Sequence, residues 1–206
     1  MVGSMKDWIF AHRGDWHPNL PPNSSQALSA AFSNGFAVET DVRDYQGKIV
    51  VSHDPCINPN AQHFNGLFDS GKRIAINIKS DGLSDSIAQN LDSIRSSKSF
   101  IFDCSFPELL RYKRLGIPHA MRLSEYEKEM PWTPDYIWLD AFESDWWIKD
   151  EQVHELMKRI PTVIVSPELH KRDHRQVWEK TKSLRQSGID VLICTDFPHE
   201  AAKEFQ

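Results

Sequence analysis

Short apolar runs rich in β-forming residues recur along this chain, and most are followed by a stretch with helical spacing. No other feature limits the possible folds as strongly. The runs are "WIFAHRG", "FAVETDV", "RIAINIK", "SFIFDCS", "HAMRLS", "YIWLDAF", "TVIVSPELH" and "VLICTDFP". Between them lie helical patterns such as "SSQALSAAFSNG", with Asn23 or Ser24 as N-cap and Gly35 as stop. Other expected helices are "SDSIAQNLDSIRSS", "PELLRYKRLG", a short "EYEKEM", a segment ending in "VHELMKRI", "HRQVWEKTKSLRQSG" and a terminal "HEAAKEFQ". The second run continues through a turn at Gln46-Gly47 into an extra arm, "GKIVVSHDP". Strands alternating with helices pair in parallel through right-handed crossovers. Eight such units predict a closed (β/α)₈ TIM barrel. With 206 residues, near the lower size limit of that fold, its loops must be short. An open doubly wound sheet is disfavoured, because no glycine-rich phosphate loop follows the first strand. No linker, repeat or low-complexity tract interrupts the chain. One domain is expected over residues 5–206, after an expression-tag-like "MVGS" at 1–4.

The runs begin apolar and end in charge or amide. Those ends carry His12 and Arg13, Glu39 and Asp41, His53 and Asp54, Asn77 and Lys79, then Asp103, Arg122, Asp140, Glu168 and Asp196. In a barrel these ends form the face where active sites are built. Strand ends also become polar simply on meeting solvent, so Asp103, Asp140 or Asp196 alone says little. Glu39 and Asp41 say more. Residues i and i+2 of a strand share a face, so both carboxylates point inward. Such a pair calls for a cation or a proton between its members. An all-oxygen pair suits one hard divalent ion, Mg²⁺, Ca²⁺ or Mn²⁺. His12 and His53 can divide general acid and base roles near neutral pH. Arg13 and Lys79 add positive charge suited to phosphate. Arg122 and Glu168 are further candidate substrate contacts. Together these residues point to chemistry on a phosphate ester rather than on a carbonyl, which would more often show a Schiff-base lysine or a cofactor motif.

The net charge of −5, from 24 basic and 29 acidic residues, argues against nonspecific nucleic-acid binding but permits a local anion pocket. There is no apolar run of membrane-spanning length and no leader pattern. Cys56, Cys104 and Cys194 fit neither a disulfide framework nor a zinc site, which points to the reducing cytoplasm. Oligomeric state is not legible.

"AHRG", "PPNSSQAL", "VETDV" and "GKIVVSHD" together resemble the glycerophosphodiester phosphodiesterase family. That family shows HRG, a Pro-Glu-Asn-Thr start to the first helix, ExD and HD, and a last strand like "GIDVLICTDFP". The resemblance spans Ile9 to Lys79 and returns over Gly188 to Pro198. It implies a TIM barrel with divalent-metal-dependent hydrolysis, a phosphoric diester hydrolase acting on a small-molecule phosphodiester. By motif, His12 and His53 are implied as the acid/base pair, Glu39 and Asp41 as metal ligands, and Arg13 and Lys79 as phosphate contacts. The chain departs from the pattern in four places. Asn77 of "NIK" stands where the family's Glu-x-Lys places a third metal carboxylate. Pro22 replaces the Glu of Pro-Glu-Asn. The segment Pro55 to Phe68 is short. "VSPELH" replaces an aromatic-rich strand, so that Glu168 and His170 either restore a metal ligand or read a polar substrate. A substrate carrying a polyol or sugar group is expected. A cyclising lyase, a non-catalytic phosphodiester-binding barrel and unrelated barrel chemistry are the alternatives.

Overall fold

The computed structural model describes residues 6–55 and 62–205. Cys56 and the tag-like N-terminus lie outside the described residues. Eight parallel strands form the barrel: β1 (Ile9–His12), β2 (Ala37–Tyr45), β4 (Ile74–Ile78), β5 (Phe100–Phe102), β6 (Ala120–Leu123), β7 (Tyr136–Leu139), β8 (Thr162–Val165) and β9 (Val191–Thr195). Their spatial order is β5-β4-β2-β1-β9-β8-β7-β6. The two edges meet where Ile101 bridges His119 in parallel and donates its N–H to Pro118 O at 3.0 Å. The TIM-barrel expectation therefore holds. The extra arm, β3 (Lys48–Val51), runs antiparallel to β2, with Val42 opposite Val51. Gln46 and Gly47 at the tip both have positive φ, 49° and 75°, as a two-residue hairpin turn of this hand requires.

Strand parity sorts the core into two layers. Phe10, Ala37, Ala75, Phe100, Phe102, Ala120, Trp138, Val163, Val165, Leu192 and Cys194 pack together inside the barrel. The alternate residues, among them Ile9, Ala11, Val38, Ile74, Ile76, Ile101 and Ile193, pack outward against the helices. Small residues on β2, β4 and β6 face large aromatics on β1, β5 and β7, which is how a narrow barrel fills. Phe102 stacks on Trp138 with centroids 3.9 Å apart and planes 26° apart. Such a contact adds about 0.5–1.5 kcal/mol beyond the area buried. Continuing the inward parity past the apolar layers brings His12, Glu39, Asp41, Asn77, Arg122, Asp140 and Asp196 to the mouth.

The helices are α1 (Ser25–Ser33), α2 (Ser84–Ala88), α3 (Leu91–Ser96), α4 (Phe106–Arg114), α5 (Glu151–Met157), α6 (Arg175–Gln186) and α7 (Pro198–Glu204). Ser24 caps α1, its Oγ accepting from Ala27 N at 3.2 Å, and Asn23 is free for another task. The single helix expected over Ser84–Ser97 is divided. Asn90, at φ −106° and ψ 17°, lies outside the helical region between α2 and α3. "EYEKEM" is not helical. Ser124 Oγ accepts from Tyr126 N and Glu127 N, and the Glu125 carboxylate accepts three N–H groups from Phe142, Glu143 and Ser144. Side-chain bonds of this kind compete with the helical ladder, and here they win. "PELH" of "VSPELH" forms a 3₁₀ turn, Pro167–His170, beyond β8.

Candidate active site

The opening turn explains why the sequence reads His-Arg-Gly. Arg13 and Gly14 have φ of 57° and 91°. A Cβ on Gly14 would lie 2.7 Å from the carbonyl carbon of Ala27 and 2.8 Å from Leu28 N. Asp15 N donates to Ala27 O at 2.9 Å. The glycine thus lets the end of β1 lie directly on α1, and this fixes where His12 and Arg13 point.

Strand register then assembles the site. His12 lies beside Glu39 across the β1–β2 pair, and Asp41 lies beside Asn77 across β2–β4. His12 Nδ1 is 2.7 Å from Asp196 Oδ1, and Trp16 Nε1 donates to the same oxygen at 3.3 Å. The acceptor is a carboxylate, so Nδ1 carries the proton. The other ring nitrogen faces the interior, 3.9 Å from Glu39 Oε2. Burial alone lowers the proton affinity of His12. The Asp196 hydrogen bond and the charges of Glu39 and Asp196 outweigh it, so His12 holds its proton above the usual histidine pKa.

Asp41 is fully buried and heavily supported. Asn23 Nδ2 donates to its Oδ2 at 2.8 Å, Arg13 Nε lies 2.9 Å from that oxygen, and Lys79 Nζ lies 3.3 Å from Oδ1. Asn23 also accepts from Thr40 Oγ1 at 2.8 Å, which locks its amide in place. Arg13 and Lys79 are thus brought together by one carboxylate. Glu39, also buried, has no such cation. It accepts from Asn77 Nδ2 at 3.2 Å and from Arg13 N at 3.3 Å. Burial, and then the charge of Asp41, push its carboxyl from 4.5 up to about 7, against the smaller opposing pull of His12, Asn77 and Arg13.

The donor set can be tested for a cation. Among the described residues, no three His, Cys, Asp or Glu side chains converge on one point. Asn77 adds an amide beside the two carboxylates, its Nδ2 on Glu39 Oε1 at 3.2 Å. Its Oδ1 is buried without a hydrogen-bond partner, and so is Asp41 Oδ1 apart from its ion pair with Lys79 Nζ. Two carboxylates and an amide oxygen, with no Lys or Arg ion pair on Glu39 and only the His12 ring at 3.9 Å, are donors of the kind a hard divalent ion takes. They fit it more weakly than three carboxylates would, since Asn77 brings no charge.

The remaining sequence candidates fall elsewhere. His53 follows β3, which returns to the mouth level: Ser52 N donates to Asp41 O at 3.0 Å, and Arg43 bonds both His53 O and Lys79 O. The His53 ring is 45% exposed and contacts Asp54, with Nδ1 2.9 Å from Oδ1. Arg122 belongs to the other half of the mouth, bonded to Asp103, with Glu127 at 3.5 Å and Asp140 at 4.0 Å. Next to it His170 Nε2 meets Asp140 Oδ1 at 2.7 Å. A groove of about 780 Å³ opens beside Arg122, lined by Phe106, Tyr126 and Lys128. Glu168 is not brought to Asn77. It lies between β8 and β9, accepting from Ser166, Thr195 and the Asp196 N–H.

Two partners of the candidate residues are weakly signalled in sequence. Asp196 is only one of many acidic strand ends until closure of the barrel makes the last strand a neighbour of the first. Asn23 reads as a helix cap, whereas its positive φ of 61° turns it toward Asp41. Cys104 and Cys194 are unpaired. Among the described residues no helix is long and apolar enough to cross a membrane.

No protein-family model and no curated protein matches the sequence. Solved structures do match its fold. A glycerophosphodiester phosphodiesterase from Agrobacterium tumefaciens aligns with TM-score 0.68 and 17% identity, over 97% of this chain and 99% of its own. A glycerophosphoryl diester phosphodiesterase from Parabacteroides distasonis aligns with TM-score 0.53 and 16% identity, over 99% and 87%. A Ca²⁺-dependent phosphatidylinositol-specific phospholipase C from Streptomyces antibioticus aligns with TM-score 0.55 and 9% identity, over 98% of both chains. In fold, then, this chain is a TIM barrel of the kind found in these phosphodiesterases.

Proposed function

We propose that the protein is a metal-dependent phosphodiesterase acting on a small polar diester of the glycerophosphodiester type, one whose alcohol is a polyol or sugar. The observation that carries this reading is the His12–Asp196 pair set against Glu39, Asp41 and Asn77, with Arg13 and Lys79 gathered on Asp41. Glu39, Asp41 and Asn77 would hold one divalent cation, which supplies positive charge for a nonbridging phosphate oxygen. Arg13 and Lys79 carry more donors than Asp41 takes, and these offset the remaining phosphate charge.

Hydrolysis needs one group to take a proton from water and another to protonate the departing alkoxide, giving a monoester and a free alcohol. The retained proton favours His12 as the donor, with Asp196 stabilising the charged ring. His53 on the rim is then the base. If a substrate hydroxyl replaces water as the nucleophile, the product is a cyclic phosphate. The likeness to the phospholipase C makes that course worth resolving in the same assay. Glycerophosphoinositol and related diesters should be followed by ³¹P NMR with Mg²⁺, Ca²⁺ or Mn²⁺ and with a chelator. Metal-dependent turnover that falls by about 10²–10⁴-fold in His12→Ala is expected. No turnover of any diester, or turnover indifferent to chelator and to His12→Ala, would refute the proposal.

A further inference from the structure

Glu168 makes more directed polar contacts than a substrate-reading side chain needs. One oxygen accepts from Ser166 Oγ, which itself accepts from Trp178 Nε1 at 2.7 Å. The other accepts from Thr195 Oγ1 and, at 3.2 Å, from Asp196 N. Thr195 Oγ1 also accepts from Phe197 N at 3.0 Å. His174 Nδ1 stands 3.8 Å away on the side facing α6. A single carboxylate therefore ties the end of β8 directly to Thr195 and Asp196, and through Thr195 Oγ1 to Phe197 N. The ladder between these strands stops one residue earlier, with Ser166 N on Cys194 O at 2.9 Å. Beyond that point Asp196 has no strand partner. Its backbone is set by Glu168, and its side chain by His12 and Trp16.

We infer that Glu168 is a positioning residue: it fixes the backbone of Asp196 so that its carboxylate stays on His12 Nδ1. The assignment replaces both a metal-ligand and a substrate-contact role for this side chain. It rests on the proposed function only where His12 is taken to be catalytic; the hydrogen bond it protects is a property of the fold. Every donor around Glu168 points inward, so the acceptor-only carboxylate matches them all. A glutamine at 168 keeps one acceptor for Thr195 and Asp196, while its amide can donate to Ser166 Oγ. An alanine leaves all of them unmatched.

The test uses the full chain and two readouts. The first is the low-field proton NMR signal of His12 Nδ1–H, assigned by its loss in Asp196→Asn. It should be present in the wild type and in Glu168→Gln, and lost or broadened in Glu168→Ala and Thr195→Val. The second is turnover of the diester. The kcat of Glu168→Ala should fall about 10–100-fold, the usual cost of removing a group that orients a site residue, with KM and metal affinity little changed. Glutamine should restore most of the rate. If Glu168→Ala does not fold, Thr195→Val and Glu168→Gln carry the comparison. The inference is overturned if the signal is absent in the wild type or survives in Thr195→Val and Glu168→Ala. It is equally overturned if Glu168→Ala raises KM alone, or weakens metal binding with the signal intact. A protein that hydrolyses no diester but passes the NMR test would overturn the proposed function and leave the role of Glu168 standing.

Discussion

Glu39→Gln should make the metal-free protein more stable at alkaline pH and leave it nearly unchanged in acid. The Glu39 carboxyl titrates at about 7 in the folded chain against 4.5 when solvated, first because it is buried and second because Asp41 lies beside it. A folded-state pKa raised in this way means that below about pH 4.5 the group is protonated in both states and costs nothing. Between 4.5 and 7 the unfolded chain releases its proton while the folded chain retains it, so stability falls as pH rises. Above 7 both states are ionised and the whole penalty remains, about 3 kcal/mol at 1.36 kcal/mol per pKa unit. Glutamine removes this penalty and keeps the bond from Asn77. It loses an acceptor for Arg13 N, a long contact of 3.3 Å whose N–H already bonds Glu39 O at 2.9 Å. That loss is worth about 1 kcal/mol at most. The net gain at pH 8 is about 2–3 kcal/mol, and at pH 5 it is near zero. Urea denaturation with chelator, for both proteins at both pH values, reads the difference directly, because groups common to both cancel. Saturating Mg²⁺ or Ca²⁺ at pH 8 should close the gap by stabilising the wild type alone. A gap that does not change between pH 5 and pH 8 refutes the reasoning.

Gly14→Ala should cost about 3 kcal/mol in the same denaturation assay, from left-handed strain and a contact on the Ala27 backbone; a loss under about 1 kcal/mol would show that β1 need not lie on α1. Trp138→Ala should cost about 3–5 kcal/mol, since it leaves a cavity against Phe102 inside the barrel; a smaller loss would mean that the interior collapses to fill it. His12→Ala and His53→Ala should each slow diester turnover by about 10²–10⁴-fold, and near wild-type kcat in either would assign that ring to structure. With His12 as acid, the wild-type rate should fall on the alkaline side of the ordinary histidine range as its raised pKa is passed, and an alkaline limb that survives in His12→Ala would place that titration elsewhere. Asn77→Asp should tighten divalent-ion binding measured by calorimetry and lower metal-free stability at pH 8; unchanged affinity would remove Asn77 from the donor set.

How much of this could be read from the chain depends on how far apart the partners lie in sequence. The inward pairing of Glu39 and Asp41 follows from a two-residue spacing, and both side chains are buried and inward-facing. The barrel follows from eight repeats of one local pattern. "EYEKEM" fails because its backbone groups are claimed by Ser124, and its Glu125 by Phe142, Glu143 and Ser144, contacts that no helical periodicity encodes. The Ser84–Ser97 pattern keeps its two buried isoleucines, Ile87 and Ile94, seven residues apart, and the periodicity conceals the break at Asn90. His12 and Asp196 are separated by 184 positions, and only barrel closure makes them neighbours. Glu168 stands out in sequence as a departure from a family pattern, but its partners, Thr195 and Asp196, emerge only when β8 and β9 lie side by side.

The barrel is a rolled sheet, and its hem lies between β5 and β6. Every other junction is laced by a run of three or more paired residues, whereas this one is drawn together at Ile101 and His119. At the mouth the same junction is fastened by Arg122 reaching from β6 to Asp103 beyond β5. By paired residues this is the thinnest junction of the ring, and it lies on the side remote from His12. The register that sets His12 beside Glu39 and Asp41 beside Asn77 runs through β9, β1, β2 and β4, away from the hem. An unlaced hem also exposes two strand edges, the surfaces through which sheets join one another. Arg122 is thus a clasp as well as a charge, joining β6 to the end of β5 where the strand pairing is thinnest.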